Sequence, residues 1–146
     1  MCSLNNRRRA TTVGGEVEVQ WRVLQSLRLR AAYAGFWIQN RGVATGLDDS
    51  PRHQFQIGSA LELPGHVELD TTLAYVSRVQ TLGGVPIDAY LRADARLGWS
   101  PRADLELSLV AQNLNDRRHS EWSFLIGTDN EREIQRSVYG MLTWRF

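Results

Sequence analysis

Apolar and polar residues alternate with a period of two along most of this chain. In the stretch GEVEVQWRV, Val17, Val19, Trp21 and Val23 fall on one side and Glu16, Glu18, Gln20 and Arg22 on the other. The same pattern returns in SLRLRAAYAGFW, where Leu27, Leu29, Ala31 and Tyr33 oppose Arg28 and Arg30. In HQFQIGSALEL, Phe55, Ile57, Leu61 and Leu63 oppose Gln54, Gln56 and Glu62, and in HVELDTTLAY, Val67, Leu69, Leu73 and Tyr75 oppose Glu68 and Asp70. AYLRADARLGW sets Leu91, Ala93, Ala95, Leu97 and Trp99 against Arg92, Asp94 and Arg96. DLELSLVAQNL sets Leu105, Leu107, Leu109 and Ala111 against Glu106, Ser108 and Gln112. A seventh segment, SVYGMLTWRF, carries Val138, Leu142, Trp144 and Phe146 on one side. Alternation of this length predicts β-strands with one polar face each. A helix would scatter these charges around its whole circumference.

The connections differ in length by side. LQS, PGH and PRA are tight, whereas the segments near 40–52, 79–86 and 115–134 are longer and polar. The first dozen residues read as a loop. Tight turns on one side and long loops on the other are the pattern of an outer-membrane barrel. The aromatic residues agree with that pattern. With the tight turns taken as periplasmic, Trp21, Trp99, Trp144 and Phe146 sit near inward strand ends, and Trp37, Phe55 and Tyr75 near outward ends. Two aromatic girdles flanking smaller aliphatics suit a surface that meets lipid, because amphipathic rings favour the two interfaces. Each apolar run approaches the 9–11 residues that a tilted membrane-spanning strand needs. The predicted fold is therefore all-β, an antiparallel up-and-down meander of about seven strands forming an open, curved segment of a large transmembrane barrel. A soluble β-sandwich or ligand-binding barrel would place the same charges in water, and plain solubility without detergent separates that reading from this one.

Composition narrows the choice. The chain has 146 residues, 42% hydrophobic and 23% charged, with net charge +1. That balance fits one folded domain and supplies neither the polarity of a disordered chain nor the basic excess of a nucleic-acid binder. All 17 basic residues are Arg. The single cysteine, Cys2, forms no disulfide within the chain. No apolar run is long enough for a transmembrane helix. The start, MCSLNNRRRATTVGG, has an arginine run with no apolar stretch behind it, so no signal peptide is expected in this chain.

Little points to catalysis or metal binding, and no catalytic, metal or cofactor site is expected. His53, His66 and His119 share no metal-ligand spacing. The acidic clusters Asp48–Ser50 and Asp129–Glu133 offer oxygen ligands of the calcium type, but a solvated loop is the default reading of each. The Arg7–Arg9 run could grip phosphate or lipopolysaccharide from an outer loop, although a solvated run is the default. The charges of the polar faces remain as candidate functional residues: Arg28, Arg30, Arg92, Asp94, Arg96, Glu106 and Arg145. They would face a hydrated lumen and pair across strands or touch whatever fills it.

The stretch YLRADARLGWSPRADLELSLVAQNLNDRRHSEW, followed by IQRSVYGMLTWRF, resembles the C-terminal part of the barrel of TonB-dependent outer-membrane receptors. The matching elements are the strand from Tyr90 to Trp99, the turn and strand after Pro101, the QNLND strand end, His119 with Glu121, and the RSVYGMLTWRF terminus. Upstream, TTVGGEVEVQWRV resembles a strand that follows a polar loop in the same family. The resemblance implies barrels of about 22 strands around an N-terminal plug. It also implies uptake of siderophore–iron, cobalamin or a similar nutrient, energised through TonB. It places the parent protein in the bacterial outer membrane, in contact with its lipid. Leu142, Trp144 and Phe146 would then form the terminus that the barrel-assembly machinery recognises.

Seven strands would be a fragment of such a barrel, lacking the plug and the earlier strands. An odd number of antiparallel strands cannot close on itself with every neighbour antiparallel, so two open edges are expected. The alternative is a small, complete outer-membrane barrel of about eight strands with a structural or adhesive role.

Overall fold

The computed structural model describes residues 9–41, 50–80, 86–115, 118–122 and 132–146, with side chains described at 11–39, 50–79, 86–115 and 135–146. Among the described residues eleven strands follow one another: β1 (Arg9–Leu24), β2 (Leu27–Arg41), β3 (His53–Leu63), β4 (Val67–Val76), β5 (Val79–Gln80), β6 (Pro86–Ile87), β7 (Tyr90–Arg102), β8 (Leu105–Gln112), β9 (Arg118–Trp122), β10 (Arg132–Gln135) and β11 (Ser137–Trp144). Seven of them form one sheet in the order β1-β2-β3-β4-β7-β8-β11, and every neighbouring pair is antiparallel. The sheet is an open meander with β1 and β11 at its edges, as the alternation predicts. Two short hairpins, β5–β6 and β9–β10, stand in the longer connections at one end of the sheet.

The period-two pattern persists because every register keeps like faces together. Leu61 pairs with Leu69, and Leu69 with Leu97. Leu97 then pairs with Leu109, and Leu107 with Leu142. A slip of one residue anywhere would turn a whole strand's apolar set to the other face.

Three short turns close the opposite end. Leu24 pairs with Leu27 around Gln25 and Ser26, Leu63 pairs with Val67, and Arg102 pairs with Leu105. In the second turn Gly65 (φ 85°) and His66 (φ 60°) both occupy the left-handed region, which glycine enters without penalty. The register shifts between Arg22 and Leu24, so Val23 sits in a bulge and does not continue the paired row.

One expectation is corrected. The first dozen residues are not wholly loop, because β1 begins at Arg9, and Thr11, Thr12 and Val13 pair with Gln39, Ile38 and Trp37. Gly14 and Gly15 interrupt the apolar alternation and hide this extension. Their presence has a steric cause at Gly14, where a Cβ would come within 2.9 Å of the Gly35 carbonyl oxygen. Both β1 and β2 consequently run longer than a minimal span, at 16 and 15 residues.

Among the described residues no second layer covers the sheet. Among the described residues Ile87 is the only buried hydrophobic side chain. The chain exposes 11653 Å², against about 7,600 Å² expected for a compact monomer of this length.

Candidate functional site

The apolar face is exposed along its whole width. Ile57 is 59% exposed, Leu97 46%, Leu109 53% and Leu142 64%. Its two polar interruptions meet each other. Ser59 on β3 lies directly opposite Thr71 on β4, and their hydroxyl oxygens are 2.7 Å apart. Each hydroxyl thus has a partner without water.

Aromatic rings mark both ends of this face. At the long-loop end Tyr33, Phe55 and Tyr75 form a cross-strand row in register with Leu91. The Tyr33 and Phe55 centroids are 4.6 Å apart and those of Phe55 and Tyr75 6.2 Å. Trp37 lies four residues beyond Tyr33 on β2, past the Gly35–His53 pair, and is edge-on to the His53 imidazole at 5.7 Å. The hydroxyl of Tyr33 is 2.9 Å from His53 Nδ1. Gly35 makes this cluster possible, since a Cβ there would meet the Trp37 ring at 2.7 Å and the Tyr33 hydroxyl at 2.9 Å. Tyr33 and His53 are members of the cluster that sequence patterning does not single out. Tyr33 is legible as an apolar-face residue, but its position beside Phe55 follows only from the β2–β3 register.

Trp21, Trp99 and Trp144 stand at the short-turn end of the same face. Asp104, in the turn between β7 and β8, ties this end together. Its carboxylate accepts two hydrogen bonds from Arg102, at 3.0 and 2.9 Å, and one from the Trp144 indole nitrogen at 3.2 Å. Its carbonyl accepts from the Arg145 backbone N–H at 2.9 Å. Phe146 is fully exposed beyond this turn, its ring 6.4 Å from that of Trp144.

The opposite face collects the charges and pairs most of them. Arg28 reaches Glu62 at 3.3 Å, Arg30 lies 3.9 Å from Glu18, and Arg92 contacts Asp94 at 3.1 Å. Arg96 is the hub. Its guanidinium contacts Asp70 at 2.8 Å and Glu68 at 3.6 Å on β4, and Glu106 on β8. To do so it lies over Gly98, where a Cβ would meet guanidinium atoms at 3.0–3.2 Å. One side chain therefore couples three strands, and a glycine two residues away supplies the space. Arg145 lies past the end of β11 and pairs with none of these groups.

The QNLND stretch is a strand terminator built from side chains. Asn113 is fully buried with φ 55°, a left-handed conformation that Asn adopts more readily than most residues. Its backbone N–H donates to Asp94 Oδ1 at 3.0 Å, so Asp94 serves the chain turn as well as Arg92. Asn115 then replaces a strand residue. Its Oδ1 accepts from the Ala93 N–H at 2.8 Å, and its Nδ2 donates to the Leu91 carbonyl. The Leu114 N–H completes the set by donating to the Ala93 carbonyl at 2.8 Å.

A cavity of about 560 Å³ opens on the polar face near the short-turn end, walled by Arg22, Arg28 and Arg30. No group of three or more metal-ligating side chains occurs among the described residues. Asp48 and Asp49, the Asp129–Glu133 cluster, Arg7, and the side chains of Arg9, His119 and Glu121 lie outside the described residues or side chains. Among the described residues no helix is long and apolar enough to cross a membrane, which says nothing of strands.

An uncovered antiparallel sheet with one apolar and one charged face has the pattern of a transmembrane barrel wall. Comparison with solved structures gives that wall a more specific likeness. The chain superposes on the ferric-catecholate import receptor Fiu of E. coli K12 with a TM-score of 0.72 and 16% identity, covering 94% of this chain and 21% of that one. It superposes on the copper transporter OprC with a TM-score of 0.79 and 14% identity, over 94% of this chain and 24% of that one. For the siderophore receptor PiuA of Acinetobacter baumannii the TM-score is 0.69 at 13% identity, over 92% and 22%. The fold is that of part of a TonB-dependent receptor barrel. The chain spans between a fifth and a quarter of the length of these proteins. No protein-family model matches it, and no curated protein matches it.

Proposed function

We propose that this chain is a segment of the barrel wall of a TonB-dependent receptor in the bacterial outer membrane, and that the whole protein takes up a scarce nutrient such as siderophore-bound iron or cobalamin. The observation that carries this reading is the division of the sheet: large apolar side chains stay uncovered on one face while the other binds its charges into cross-strand pairs. Water would penalise the first face, and lipid would penalise any unpaired edge beside it. The likeness to import receptors and a copper transporter supports uptake as the parent activity and gives no support to an enzyme.

On this reading Trp21, Trp37, Phe55, Tyr75, Trp99 and Trp144 are interfacial anchors. Arg28, Arg30, Arg92, Asp94, Arg96 and Glu106 line the hydrated interior, with Arg145 at its periplasmic rim. Leu142, Trp144 and Phe146 present the strand that the assembly machinery engages. TonB and the plug would act only in the intact receptor. The small complete barrel is disfavoured by seven strands in an open sheet.

The test is refolding of the 146-residue chain with and without lipid. Circular dichroism should show β-structure in detergent micelles or vesicles, with tryptophan fluorescence quenched by brominated acyl chains. A soluble monomer in plain buffer that melts in one sharp transition would overturn the reading.

A further inference from the structure

The polar face holds one cluster that its own ion pairs do not neutralise. Arg22 on β1 stands directly opposite Arg28 on β2, and Arg30 follows two residues along the same face. Like charges directly opposite each other on a sheet are destabilising. Arg28 has Glu62 and Arg30 has the more distant Glu18, but Arg22 has no acidic partner among the described residues. These three side chains wall the cavity of about 560 Å³. Its floor is low because Arg30 faces Gly58 and Arg28 faces Ala60 on β3. Gln20 and Thr72 add neutral hydrogen-bonding groups at its sides. Asp70 is the one acid lining it, and the Arg96 guanidinium holds that carboxylate at 2.8 Å.

We propose that this cup binds an oxyanion, a carboxylate or phosphate group of a small soluble ligand, between the guanidinium groups of Arg22, Arg28 and Arg30. A guanidinium presents paired N–H donors in a plane that matches both carboxylate and phosphate oxygens. An anion seated between Arg22 and Arg28 would remove their mutual repulsion, and the glycine and alanine of β3 leave it room. The cup belongs to the geometry of β1–β3, so the inference does not depend on import being the parent activity.

Citrate and inorganic pyrophosphate are the probes, titrated calorimetrically into the full chain in a non-ionic detergent at low salt, with glucose as the uncharged control. Saturable binding in the millimolar range or tighter is expected for either anion and none for glucose. Binding should weaken as sodium chloride screens the charges. Arg22→Gln and Arg28→Gln should each weaken binding about tenfold, the scale of one charge-assisted contact. Arg78→Gln, beyond the end of β4 and outside the cup, should leave it unchanged. A second measurement needs no variant. Citrate should slow modification of Arg22, Arg28 and Arg30 by phenylglyoxal, mapped by mass spectrometry, and leave Arg78 and Arg136 unaffected. Absence of saturable binding to the unaltered chain, or protection spread evenly over all arginines, would overturn the site. Neither result would bear on whether the chain enters a membrane.

Discussion

Ser59 and Thr71 face each other across β3 and β4 with their hydroxyl oxygens 2.7 Å apart, in the middle of an otherwise apolar surface. If that surface meets hydrocarbon, neither hydroxyl has water to turn to, and each depends on the other. Ser59→Ala alone should cost about 1 kcal/mol by leaving Thr71 unsatisfied. Replacing both, with Ser59→Ala and Thr71→Val, should be close to neutral. A double-mutant cycle on the chain folded in vesicles should return a coupling of about 0.5–1 kcal/mol. Additive effects would mean that water reaches this face.

The two faces should respond in opposite ways to the same charge. Ile57 and Gln56 are neighbours near the middle of β3 and point to opposite sides. Ile57→Arg should destabilise the vesicle-inserted sheet by about 2–4 kcal/mol, as for a cation at the midplane of a barrel's lipid face. Gln56→Arg should cost far less, because it adds a charge to a hydrated surface. Denaturant titration of both variants in the same lipid gives the comparison, and equal costs would remove the distinction between the faces.

The Arg96 hub makes Gly98 a demanding position. Valine there would drive its side chain into the guanidinium that joins Asp70 and Glu106. Gly98→Val should destabilise the folded chain by about 1–3 kcal/mol through overpacking. Combined with Arg96→Ala, which empties the space, the same substitution should cost less than it does alone. Thermal melts of the two singles and the double in detergent would show this dependence.

Much of this arrangement is legible in the amino-acid order. Alternation locates all seven main strands and assigns the apolar and polar residues to faces, because a side-chain period of two leaves few alternatives. Loop lengths separate the two ends of the sheet. What escapes is anything decided by register. The distance between Ser59 and Thr71, the Tyr33–His53 contact, and the reach of Arg96 across Gly98 all depend on which residue stands opposite which, and these partners lie ten or more residues apart in the chain. Glycines mislead in a different way. Gly14 and Gly15 read as the start of a strand, yet they lie inside one, since glycine marks close backbone approach as readily as a turn.

The QNLND stretch is recognisable as a motif, but its role emerges only from its bonds. After Ala111 pairs with Ala95, β8 stops following β7, and the next two positions on β7 would lose their partners. Asn115 bonds the Ala93 N–H and the Leu91 carbonyl with one amide group, doing with a side chain what a strand does with its backbone. An amide can accept and donate together, and aspartate at that position could only accept. Asn115→Asp should therefore keep the bond from Ala93 and lose the one to Leu91, while Asn115→Ala should lose both. The expected cost is about 1 kcal/mol for the alanine variant. The sharper readout is amide hydrogen exchange at Ala93 in micelles. Exchange should accelerate in Asn115→Ala and stay slow in Asn115→Asp, because the aspartate oxygen still accepts from that N–H. Equal protection in all three proteins would show that the strand end is held by the Leu114 backbone bond alone.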